Sequence, residues 1–79
     1  MALIKSFKPI GADSRGQVHR TEVDCGWAFF TIAGRTYLQL DTYGSQARAI
    51  PGKVSQTLQL DEDAARELKR LIIQAFPGL

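Results

Sequence analysis

Cross-linking residues are nearly missing from this sequence. It holds one cysteine, Cys25, and one histidine, His19. One thiol cannot close an internal disulfide, and one Cys with one His cannot supply the usual ligand set of a structural zinc. Long hydrophobic runs are missing too. None approaches the roughly 20 apolar residues of a membrane-crossing helix. Met1 to Ile10 carries two lysines and no apolar stretch of the secretory kind. The expected setting is the reducing cytoplasm, with Cys25 a buried, inert thiol. Catalytic groupings are equally scarce. His19 stands beside Arg20 and Glu22 as an ordinary surface histidine, and Ser45 has no base near it in sequence. Asp61, Glu62 and Asp63 read as a helix cap rather than a metal cluster. No enzyme activity, cofactor or metal is expected.

What remains is a short, mildly basic chain. Its 79 residues make one domain, 1–79. A chain of this size buries only about 60% of the surface it exposes when unfolded. Without staples, self-association is the remaining source of burial, so a homodimer is expected. The net charge is +2, and it is unevenly spread. Residues 1–60 carry a balance of +3 and residues 61–79 a balance of −1. The positive excess thus falls ahead of the C-terminal segment, an arrangement compatible with a polyanionic partner.

Punctuation by glycine and proline divides the chain. Residues 1–16 read as a first strand or arm followed by the loop Gly11 to Gly16. Residues 17–60 read as an antiparallel sheet. Within it, Gln17 to Val23 is expected as an edge strand and Asp24-Cys25-Gly26 as a break. Trp27 to Ile32 and Arg35 to Tyr43 form a hairpin around the two-residue turn Ala33-Gly34. Gly44 to Lys53 is a polar loop, and Val54 to Leu60 is the last strand. Residues 61–76 read as a helix. Asp61 caps it, Ala64, Ala65, Leu68, Leu71, Ile72, Ala75 and Phe76 form its apolar stripe, and Pro77-Gly78 ends it. The fold class is therefore α+β: an antiparallel sheet of four to five strands, with one C-terminal amphipathic helix packed on one face.

The other face has no cover within the chain. Alternation is read as placing Ala28, Phe30 and Ile32 with Leu38 and Leu40 under the helix. Trp27, Phe29 and Thr31 would then share the open face with Tyr37, Gln39, Asp41 and Tyr43, and with Ser55, Thr57 and Gln59. Aromatics on such a face can stack the bases of a single strand. They can equally pack on a second subunit. Arg35, Arg48 and Lys53 offer cations for phosphates, and glycines in the Gly44 to Lys53 loop let backbone N–H groups approach an anion. Gly52-Lys53 is no phosphate-binding loop of the nucleotide-hydrolase kind, because no helix follows it.

The stretch from Trp27 to Ile73 resembles a known family. An aromatic strand leads through a glycine turn to Tyr37-Leu38-Gln39-Leu40-Asp41, and a polar loop ends in Pro51-Gly52-Lys53. A strand ending Leu58-Gln59-Leu60 then passes into an acidic-capped helix with Glu67-Leu68 and Leu71-Ile72. This resembles the positive cofactor 4-like family of single-stranded-DNA-binding transcriptional coactivators and their small bacterial relatives. The resemblance implies a twisted four-stranded sheet with a C-terminal helix, a homodimer and a strand-lined channel for unpaired DNA. Lys53 and the aromatic character of Trp27, Phe29 and Tyr37 carry over.

The expected function is a non-catalytic module for single-stranded DNA or RNA. Its candidate contacts are Trp27, Phe29, Arg35, Tyr37, Gln39, Tyr43, Arg48 and Lys53. The alternative is a small protein-interaction or regulatory subunit that uses the same face for a protein partner.

Overall fold

The computed structural model describes residues 1–11, 16–44 and 53–79. Four strands and one helix follow in order: β1 (Ala2–Ile4), β2 (Cys25–Ile32), β3 (Arg35–Tyr43), β4 (Val54–Leu60) and α1 (Glu62–Ala75). They form a small α+β fold in which one four-stranded sheet, ordered β1-β4-β3-β2, carries a C-terminal helix.

The hairpin stands where the sequence puts it. Ile32 pairs with Arg35, so the turn holds only Ala33 and Gly34. Both take positive φ, 53° and 78°. Two left-handed residues between strands match the twist of a tight hairpin, and glycine fills the second position without strain. Alanine in the first is strained by its Cβ. Ala33→Asn should relieve up to about 1 kcal/mol of this, raising the melting temperature by roughly 4–8 °C. A calorimetric scan that shows no rise would place the strain elsewhere.

Three expectations are corrected. First, the sheet is mixed, not purely antiparallel. β1 lies parallel to β4, with Ala2 opposite Leu58 and Ile4 opposite Leu60. One step further on, Lys5 Nζ donates to Asp61 Oδ2 at 2.8 Å, fastening the end of β1 to the start of the helix. Second, no fifth strand is seen among the described residues. Residues 17–23 form no regular element, and Val18 is 98% exposed. The two valines of that segment, Val18 and Val23, would fall on opposite sides of a pleat, so it has no single apolar face to bury. Third, Cys25 and Gly26 belong to β2 rather than to a break. The Tyr43 ring lies over Gly26, where an added Cβ would sit 2.6 Å from the phenolic oxygen. The glycine is therefore the residue that lets this strand pass beneath the ring. Cys25 is exposed rather than buried, since it opens an edge strand.

Asp61 caps α1 by accepting from the Ala64 backbone N–H at 2.9 Å. Its hydrogen bond from Lys5, helped by the one from Ala64, holds its carboxyl below the ordinary value, and the same Lys5 contact raises the ammonium. Helix α1 packs chiefly on β3 and β4. Among the described residues, Leu60 and Ala64 are the fully buried apolar ones, 2% and 1% exposed. The small Ala64 side chain lets the helix backbone come close to the strand that carries Leu60. Around this small centre, apolar surface stays open: Trp27 and Phe29 are each 68% exposed, Phe76 62% and Ile72 39%. Among the described residues, no helix is long and apolar enough to cross a membrane.

Candidate nucleic-acid interface

The hairpin register decides which side chains share a face. Residues directly opposite in an antiparallel pair point the same way. Trp27 faces Leu40, Phe29 faces Leu38, Phe30 faces Tyr37, and Ala28 faces Gln39. Across the other side of β3, Leu38 faces Leu60 and Leu40 faces Leu58. Leu60 is buried beside the helix, and a cleft lined by Phe29, Leu38, Leu60 and Ala65 lies against it. Trp27 and Phe29 therefore sit on the helix side, and Phe30 sits on the open side. This reverses the expected placement of the β2 residues.

The eight candidate contacts consequently divide. Trp27 and Phe29 stack on each other at 5.8 Å with planes 14° apart. They lie on edge strand β2, beside the helix that packs on β3 and β4. They are exposed apolar surface, as are Ile72 and Phe76 on the C-terminal half of the helix. Tyr37, Gln39 and Tyr43 lie on the open side, joined by Phe30, which stacks on Tyr37 at 5.6 Å. Arg35 shares their strand alternation at the turn end of β3 and is exposed. Lys53, exposed, precedes β4; its carbonyl accepts from Gly44 N–H at 3.2 Å and closes the neck of the loop. Arg48 lies outside the described residues.

A polar ladder runs over the middle of the open face. Gln59 Nε2 donates to Gln39 Oε1 at 2.9 Å. Gln39 Nε2 donates to Asp41 at 3.3 and 3.4 Å. Thr57 Oγ1 donates to Asp41 Oδ1 at 2.7 Å. Four side chains from two strands are thus fixed relative to one another, with the Phe30–Tyr37 pair next to them. A rigid platform of this kind loses little conformational freedom when a flat ligand settles on it.

The turn end carries charges of both signs. Arg35 borders a cleft with Asp61, Glu62 and Asp63. Asp61 pairs with Lys5, and Glu62 and Asp63 share Arg66. Arg35 itself makes no ion pair among the described residues. At the opposite end, His19, Thr21 and Val23 line an open cleft with Thr42, Tyr43 and Gln56. Sequence reasoning missed Phe30 as an open-face residue. The two-residue turn was the signal that could have found it. No group of three or more His, Cys, Asp or Glu among the described residues is arranged to hold a metal ion. No protein-family model matches the chain, and no curated protein or solved structure is significantly similar to it.

Proposed function

We propose that this chain is a cytoplasmic, non-catalytic module that binds single-stranded DNA or RNA on the sheet face opposite the helix, and that it works as a homodimer. One observation carries the reading. The sheet face opposite the helix, half-buried along β3, presents a stacked aromatic pair, Phe30 and Tyr37, beside a fixed ladder of amides. Every base has a π-face, so such a pair accepts an unpaired strand of any sequence by stacking. Arg35 at one end and Lys53 at the neck of the loop supply cations for its phosphates. The resemblance to the positive cofactor 4-like family points the same way and extends the role to transcription regulation.

The helix-side surface has a different job in this reading. Trp27, Phe29, Ile72 and Phe76 present apolar area with no phosphate-binding cation among them. A second copy of the chain covers them and leaves the open faces of both copies free. The exposed Trp27–Phe29 stack also suits a reading in which another protein occupies that surface and the chain acts as an interaction subunit.

Fluorescence anisotropy with a short labelled single strand, repeated at several salt concentrations, tests the binding role. Tyr37→Ala should weaken binding by roughly 1–3 kcal/mol through lost stacking and leave the salt slope nearly unchanged. Lys53→Ala should weaken all sequences alike and flatten the salt slope by about one unit. Absence of binding by the wild type at low salt would remove the nucleic-acid role and leave the interaction subunit.

A further inference from the structure

Asp41 is an odd residue for a surface that meets nucleic acid. It places a carboxylate in the middle of the open face, between Gln39 and Thr57. A carboxylate repels phosphate, so the backbone of a bound strand must keep to the rim, where Arg35 and Lys53 lie. What can approach the centre is the edge of a base.

The ladder also has a fixed polarity, and Asp41 sets it. Both carboxylate oxygens only accept, so the Gln39 amide must turn its nitrogen toward them, at 3.3 and 3.4 Å. That leaves Gln39 Oε1 facing Gln59, which must then turn its own nitrogen inward, at 2.9 Å. Thr57 spends its hydroxyl proton on Asp41 Oδ1 at 2.7 Å. Gln39, Gln59 and Thr57 each turn a donor inward, and Gln59 Nε2 keeps its second N–H. The acceptors with capacity left are Asp41 Oδ2, whose sole partner is the long Gln39 contact, and Gln59 Oε1.

We infer that Asp41 makes this face select bases by their N–H donors, favouring cytosine, adenine and guanine over thymine and uracil. The inference rests on the nucleic-acid reading above. Cytosine and adenine each bring an exocyclic amine to a carboxylate, and guanine brings two adjacent N–H groups. Thymine and uracil bring one N–H flanked by two carbonyls, and those carbonyls meet the Asp41 charge with like polarity. The position suits the task. Gln39 and Asp41 follow Tyr37 at two and four residues on the same strand, about 7 and 14 Å along it. One base stacked on the aromatic pair leaves its neighbour over the ladder.

The test compares labelled oligodeoxycytidine and oligodeoxythymidine of equal length, by anisotropy at one salt concentration. The wild type should bind oligodeoxycytidine about five- to tenfold more tightly. Asp41→Asn should bring that ratio to about one, chiefly by tightening the hold on oligodeoxythymidine, because a repulsive charge has gone. A thermal melt establishes that the variant is folded. Equal binding of the two oligonucleotides by the wild type would overturn the inference and leave the nucleic-acid reading standing. It needs no variant to do so. An unchanged ratio in folded Asp41→Asn would overturn it as well. No binding of either oligonucleotide at low salt would overturn both.

Discussion

Leu60→Ala should remove a large part of the stability of this fold. Leu60 is 2% exposed and is the one large side chain fully buried among the described residues. It joins three elements: its Cα partners are Leu38 on β3 and Ile4 on β1, and the strand runs on through Asp61 into the helix. Truncating a buried leucine costs about 2–5 kcal/mol, through lost transfer energy and the cavity left behind. A domain of this size has a total stability of roughly 4–12 kcal/mol. One side chain thus controls about a sixth of the whole or more. Urea titration followed by circular dichroism should show the midpoint falling sharply at unchanged slope. Leu58→Ala is the control: at 38% exposure it should cost less than half as much. A loss at Leu60 below about 1 kcal/mol would mean that the centre of the fold lies elsewhere.

Phe76→Lys should turn the proposed dimer into folded monomers. Phe76 caps the C-terminal end of α1 and is 62% exposed in the single chain. Its removal therefore takes almost nothing from the monomer, and a lysine there complements the negative end of the helix dipole. In a dimer that covers Trp27, Phe29 and Phe76, the same change buries an ammonium against aromatics. Substitutions at aromatic anchors cost about 2 kcal/mol or more, a factor of thirty in the dissociation constant. Light scattering over a dilution series should show the wild type as a dimer and Phe76→Lys as a monomer with unchanged helix content. A wild type that stays monomeric at high concentration would reassign this surface to another protein.

Much of the architecture was legible because its signals are local. The hairpin turn, the capped helix, the bounds of β3 and β4 and the fold class all follow from residues close together in the chain. What escaped involves register or distance. The faces of β2 were read one residue out of step with β3. A two-residue turn between Ile32 and Arg35 makes every pair sum to the same number, so an odd residue always faces an even one. Trp27 then belongs with Leu40, not with Tyr37, and a slip of one residue moves a whole strand to the other face. Gly26 looked like a break because its reason, the ring of Tyr43, lies 17 positions away in sequence. The parallel placement of β1 was invisible for the same reason: three residues carry too little pattern to say which edge they join or in which direction.

That placement of β1 bears on how the chain comes off the ribosome. Lys5 and Asp61 are 56 positions apart in sequence. At the usual pace of synthesis, β1 waits on the order of 3–10 seconds for the strand it joins to be made. The hairpin of β2 and β3 needs no such wait and can close within microseconds. During that interval Leu3 and Ile4 have no edge to pair with, and the centre around Leu60 does not exist. Assembly therefore starts at the hairpin, and β1, made long before its partner strand, is among the last pieces to be set in place.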